Sequence, residues 1–294
     1  VEHYLIAIQL VNESSLSDRE KQIQIKDLYY NLGLVQYYLK NYETAVSYYL
    51  KSLRLKEKFK LSGIDKAYFN LARAYSLTGE KDSSEIYYKK TIEYRIKKYG
   101  HDYFRLASVN MNYGIFLTEQ KDFENAFGKL KESVRIYELN YGIQHPYTAN
   151  SYKYLAACYT AEANHDSALY WYQKSLIACT YNFNSSALEE NPNTNDGITQ
   201  LQLLSSLQYK AAGIYNAAQT KKGKERVNYY ALSIKTIDKA LLLISKIRND
   251  FSNKNSKYII TEEEKACISI AVKSSMALFH ITDNRYFAER AYLY

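Results

Sequence analysis

Large and small residues alternate along this chain with a spacing that belongs neither to a strand nor to an isolated helix. The segments Tyr29-x-x-Leu32-Gly33, Tyr68-x-x-Leu71-Ala72, Asn110-x-x-Tyr113-Gly114 and Tyr152-x-x-Leu155-Ala156 share one template, whose large residue recurs after gaps of 39, 42 and 42. Nine residues after the next template position (Gln36, Tyr75, Leu117, Tyr159) stands a small residue each time: Ala45, Ser84, Ala126 and Ala168. Tyr49, Tyr88, Leu130 and Tyr172 follow four residues later, and Ser52, Thr91, Ser133 and Ser175 three beyond those. A small residue lets a partner helix approach closely, and a large one a turn away fills the neighbouring groove. Each block therefore predicts a pair of helices. Neither pair can bury its apolar surface alone, so successive pairs must stack.

The pattern extends beyond these four blocks. Upstream, Tyr4 to Val11 reads as the second helix of a preceding, partial repeat. Downstream, Asn182 to Gly197 is rich in Asn and Ser, contains Pro192, and reads as a loop. Helical periodicity then resumes with Gln208, Ala211-Ala212 and Tyr215, and with Ser233, Ile237 and Ala240. Tyr215 and Ser233 are 18 residues apart where the other blocks have nine, which predicts a loop insertion containing Lys221 to Arg226. The expected organisation is a repeat array over 1–181 (a partial repeat plus four), a loop over 182–198, and C-terminal helical repeats or linker helices over 199–294. Val1 is not a methionine and Tyr294 falls inside an apolar helical pattern without a cap, so the expectation is a piece of a longer protein with a further domain downstream.

Composition narrows the class. With 2 prolines and 10 glycines in 294 residues, few points force the backbone out of helix. The longest strongly apolar run, Leu241-Leu242-Leu243-Ile244, falls far short of the roughly 18 residues of a membrane span, so no membrane partner is expected. Three scattered cysteines, Cys158, Cys179 and Cys267, fit a reducing, cytoplasmic setting rather than a disulfide framework. The net charge of +8 is spread through alternating acids and bases, as in Lys56-Glu57-Lys58, and reads as a solvated surface; nucleic acid is not the expected partner. The 33 tyrosines suit helix interfaces that are half buried and half wet.

The in-phase template resembles the tetratricopeptide repeat. The recurring extension Lys97-Lys98-Tyr99-Gly100-His101-Asp102 and Asn140-Tyr141-Gly142-Ile143-Gln144-His145-Pro146 resembles the 42-residue repeats of kinesin light chains. Tyrosine or asparagine occupies the family's tryptophan position. The resemblance implies an all-α fold, a right-handed α-solenoid of tetratricopeptide-type helix hairpins, that binds a protein or an extended peptide and needs no cofactor. It also implies a groove lined by the first helices: Tyr30, Asn31, Leu34 and Tyr37; Lys66, Phe69, Asn70 and Arg73; Met111, Asn112 and Ile115; Lys153 and Tyr154. Asn31, Asn70 and Asn112 are equivalent, like the asparagine ladder of kinesin light chains, and an amide can pair with any peptide backbone. The competing reading is that these amides bond neighbouring helices or water.

A second resemblance covers residues 200–294. The order Leu241–Ile244, Ser256-Lys257-Tyr258-Ile259-Ile260, Ile270-Ala271, Leu278-Phe279, Thr282-Asp283 and Tyr286–Ala291 is similar to the segment joining repeats to the protease in bacterial CHAT (caspase- and separase-like) proteins. It implies a sensing or regulatory arm for a downstream cysteine protease. The alternative is a scaffold or peptide-sensing domain of a kinase or a DNA-binding regulator. The chain itself is not expected to be an enzyme. Its cysteines sit in helical packing patterns and read as buried small hydrophobes. His101 and His145 read as turn or cap residues, His3, His165 and His280 are isolated, and no metal or phosphate motif occurs.

Overall fold

The computed structural model describes the backbone of residues 1–250 and 254–294 and the side chains of 1–249 and 260–294. Ser256 to Ile259, part of the segment order singled out above, therefore lie outside the described side chains. The elements are α1 (Glu2–Glu13), α2 (Asp18–Tyr38), α3 (Tyr42–Lys58), α4 (Ile64–Thr78), α5 (Lys81–Tyr99), α6 (Phe104–Glu119), α7 (Phe123–Tyr141), α8 (Pro146–Ala161), α9 (His165–Ala178), α10 (Gln200–Thr220), α11 (Gly223–Asp250), α12 (Lys254–Thr282) and α13 (Arg285–Leu293). Two compact units divide the chain, residues 1–116 and 117–294. In the first, α1 packs on α2, α2 on α3, α3 on α4 and α4 on α5; in the second, each helix from α7 to α12 packs on the next, and α12 on α13.

Turn chemistry marks the hairpins. Lys40, Gly79, Lys121 and Ala163 are all left-handed (φ 63, 84, 62 and 67°) and keep the spacing of the sequence repeat. The side chains of Asp122 and Asn164 then accept from the backbone N–H groups of Asn125 and Ser167, capping α7 and α9. Between hairpins, Gly100 and Gly142 combine φ of 84 and 81° with ψ of 173 and 176°, a region essentially confined to glycine, which is the physical reason for the recurring Tyr-Gly. His145 follows as the N-cap of α8, its Nδ1 accepting from the Tyr147 N–H, with Pro146 in the first turn. Ser17 and Glu20 form a reciprocal capping box at the start of α2.

The small positions are sealed: Ala45, Ser84 and Ala126 are at 0% exposure and Ala168 at 1%. Gly33 is tighter still, because a Cβ there would lie 2.6 Å from the Tyr49 ring. Ser175 donates its hydroxyl to the Ala149 carbonyl (2.8 Å) and meets Ser206 Oγ (2.9 Å), and Ser233 meets the Ala211 carbonyl (2.9 Å) and Ser274 Oγ (3.1 Å) in the same way, so the fifth hairpin repeats the bonds of the fourth.

Lys221 to Arg226 do not form a loop insertion. Only Lys221 and Lys222 separate α10 from α11, and the extra residues lengthen those helices to 21 and 28 residues. Lys221 pairs with Glu225 one turn on (3.0 Å), closing the junction. Between α9 and α10 the chain runs without helix, pinned at its ends by an isolated bridge between Thr180 and Gly197.

Candidate functional site

The first helices of unit 1 bring Tyr30, Tyr37, Phe69, Asn70 and Arg73 of the expected groove residues into one cluster. Asn70, on α4, donates its amide to the Tyr30 hydroxyl on α2 (2.8 Å). Burial raises the Tyr30 phenol above its usual range, with the Asn70 bond opposing that shift. Arg73, one turn beyond Asn70, lays its guanidinium over the Tyr37 ring (4.7 Å) and over Phe69 (5.7 Å). Phe69 meets a second guanidinium on its other contact, that of Arg95 (5.4 Å). Arg95 is itself matched: its Nε donates to Asp65 (3.0 Å) and its Nη1 to the Arg105 carbonyl (2.7 Å). No carboxylate among the described residues pairs with Arg73. The cluster thus holds one neutralised cation and one half-buried cation that meets aromatic side chains, the Tyr37 hydroxyl among them, in place of a carboxylate.

Other expected residues are placed differently. Asn31 is half-buried and Lys66 exposed on α4. Asn112 donates back to the Ser108 carbonyl of its own helix (2.8 Å), and Met111 is buried at 8% exposure. The three asparagines therefore do not present equivalent free amides. Asn70 bonds a neighbouring helix and Asn112 bonds its own backbone.

In unit 2, Lys153 departs most from expectation. It is 4% exposed, donates to the Ser205 hydroxyl on α10 (2.8 Å), and lies between the rings of Tyr154 and Tyr209 (4.6 and 4.7 Å). Burial pushes its amine down to about 8. The cation expected to face a ligand is instead covered by α10. The open feature beside it is a hollow of about 570 Å³ lined by Ala157, Thr160, His165, Tyr172, Tyr209 and Asn216, among others. His165 Nδ1 is buried there without a hydrogen-bond partner. Tyr209 and Asn216 belong to the fifth hairpin, whose altered helix lengths hid their register in the sequence.

The thiols of Cys158, Cys179 and Cys267 are all free and sealed at 0% exposure, and burial raises each, that of Cys179 to about 12. A thiol so shifted is a packing group rather than a nucleophile. Among the described residues no cluster of His, Cys, Asp and Glu is arranged to hold a metal ion, and no helix is long and apolar enough to cross a membrane.

Stacked hairpins of this phase define a class of helical repeat that binds other chains. The family model for the tetratricopeptide repeat matches residues 24–97 and 105–178, together half of the chain, and the chain belongs to that family. Among solved structures, BtubC (BKLC) from P. vanneervenii is similar with a TM-score of 0.63 at 15% identity, over 86% of this chain and 92% of that one. The nearly identical TPR-like repeats of a candidate kinesin light chain from Podosopora anserina give 0.53 at 16%, over 71% and 94%. At these identities the likeness is one of fold. No curated protein matches the chain at a significant level. The tetratricopeptide fold is a non-catalytic scaffold for protein binding.

Proposed function

We propose that the chain captures an extended peptide or protein segment along its first helices, with Tyr30, Tyr37, Lys66, Phe69, Asn70 and Arg73 as the principal contacts in unit 1. Arg73 carries this reading. A half-buried guanidinium against two aromatic rings, with no carboxylate beside it, is pre-positioned for an acidic or C-terminal carboxylate group, and charge-assisted bonds are the strong ones. In unit 2, taken by itself, Tyr154 and the hollow beside it are a separate candidate contact region. Selection from a random peptide library, followed by calorimetry, tests it. Arg73→Ala should weaken the selected peptides about tenfold or more, less so at high salt, and Asn70→Ala by a smaller factor. Affinity indifferent to both variants would place the partner elsewhere.

The finer reading is that this array is the sensing arm of a CHAT-type cysteine protease in a cytoplasmic setting. The order of segments between Leu241 and Ala291 supports it, as do three sealed free thiols. The sequence encoded beyond Tyr294 tests it directly: a caspase-like His and Cys supports the reading, whereas a kinase or DNA-binding module replaces it.

A further inference from the structure

The repeats supply their own control for one lysine. Lys51 lies over the paired rings of Tyr29 and Tyr48 (5.6 and 5.2 Å), and Lys90, its equivalent, over Tyr68 and Tyr87 (5.7 and 5.4 Å). Lys174 holds the same phase in the fourth repeat, where Tyr152 and Trp171 supply the ring pair at 5.3 Å. Yet Lys174 lies over the neighbouring Tyr170 instead (5.6 Å) and lines two hollows at once. The first, of about 230 Å³, is apolar, walled by Leu169, Tyr170, Ile177 and Leu188. The second, of about 400 Å³, is walled by Ile143, Tyr152, Ile177, Tyr181 and Phe183, with the Asn184 amide beside them. No carboxylate among the described residues pairs with Lys174.

Both hollows are built rather than accidental. Their far walls come from the segment after α9, and that segment is held by directed bonds. Gln173 Nε2 donates to the Ser185 and Ala187 carbonyls (2.7 and 3.0 Å), and Gln144 Nε2 to those of Thr180 and Tyr181 (2.5 and 2.9 Å). Asp196 accepts from the Phe183 N–H (2.9 Å). Ile143, Tyr170 and Tyr181 nonetheless stay 68, 55 and 62% exposed, Tyr170 at the first hollow and Ile143 and Tyr181 at the second.

We infer that this face of α9 is a second docking site, taking an extended peptide that carries an acidic residue with an apolar side chain on either side. Alternate side chains of an extended chain share one face about 7 Å apart. A central carboxylate would meet the unpaired Lys174 amine while its apolar neighbours on that face enter the two hollows, which need no rearrangement to receive them. The residues are distinct from those proposed above, so the two sites stand or fall separately.

The probe is a fluorescein-labelled peptide of the form Leu-Ser-Asp-Ser-Phe, with counterparts having Asn or Lys in place of Asp, titrated onto the full chain by fluorescence anisotropy. The aspartate peptide should bind saturably, and Lys174→Glu should weaken it about tenfold or more. Ile143→Ser, at an exposed position, should weaken it without loss of helical circular dichroism, and Arg73→Ala should leave it unchanged. Absence of saturable binding overturns the inference. So do equal binding of the lysine-centred peptide, indifference to Lys174→Glu, or a loss with Arg73→Ala that assigns the peptide to the first-helix face.

Discussion

Arg95 in unit 1 and Lys210 in unit 2 are both sealed from solvent, at 3 and 0% exposure, and the two regions stabilise them by different means. Arg95 is neutralised on the spot by Asp65, itself 5% exposed, with a carbonyl and the Phe69 ring completing its surroundings. Among the described residues no carboxylate pairs with Lys210. Its amine donates to the Glu190 carbonyl (2.8 Å) and to Asn191 Oδ1 (2.9 Å), both in the segment between α9 and α10. That segment is held further by Lys239 on the Pro192 carbonyl (3.3 Å) and by Lys246 on Thr194 Oγ1 (2.6 Å). A cation paired with a carboxylate on a helix is independent of any loop. A cation whose acceptors are loop carbonyls is satisfied only while the loop is seated, so in unit 2 the lysines and the loop hold one another in place.

The comparison breaks most sharply at the ion pair. Asp65→Ala leaves Arg95 charged, buried and unmatched, and removal of one partner from a buried pair costs about 3–5 kcal/mol. Chemical denaturation should register that loss. A cost near that of a surface pair would mean that the Arg105 carbonyl and Phe69 alone suffice for Arg95, and the contrast with Lys210 would disappear.

What the two units share is the packing of small residues, and it should yield a similar cost in each. Ala45→Leu in unit 1 and Ala126→Leu in unit 2 both force a branched side chain into a position with no free surface, with an expected loss of about 1–3 kcal/mol through overpacking. Urea titrations of the two variants measure this. Stability equal to that of the unaltered chain in either case would show that the equivalence of the two positions is wrong.

That equivalence was legible because it is local. A hairpin closes within about 40 residues, and the small–large–small spacing reports contacts inside that span, so the hairpins, the Tyr-Gly turns and the cap at His145 could be read from the sequence. The fifth hairpin is less legible. Lys221 to Arg226, basic and containing a glycine, has the composition of a loop, but lengthening both helices absorbs the same residues without exposing more backbone. The site was legible only in part. Arg73, Tyr37 and Phe69 lie on adjacent first helices in phase, so their meeting follows from the repeat. The burial of Lys153 depends on Ser205, 52 positions away, and that of Lys210 on the Asn191 side chain and on the Glu190 main-chain carbonyl, a group every residue carries and no pattern distinguishes. Long-range partners that are main-chain atoms leave no mark in a sequence.

The smallest expected effect sharpens the comparison through pH. Burial pushes the Lys210 amine down to about 7, with Lys235 nearby acting in the same direction and Glu189 opposing it. An unfolded lysine keeps its proton to about 10.4. Between those values the unfolded chain binds a proton that the folded chain does not, so folding stability rises as pH rises through that window and is flat below it. A neutral amine retains two N–H donors, enough for the Glu190 carbonyl and Asn191 Oδ1, so the loop stays seated while the cost of burying charge falls away. Relative to Lys210→Met, which has neither charge nor donors, the unaltered chain should therefore gain about 1 kcal/mol per pH unit from pH 7 upward. Urea denaturation of both proteins at a series of pH values from 6 to about 9 measures the difference, other titrating groups cancelling between them. A difference independent of pH would mean that the loop carbonyls hold Lys210 fully charged, as Asp65 holds Arg95, and the two regions would then stabilise buried cations in the same protonation state by different acceptors.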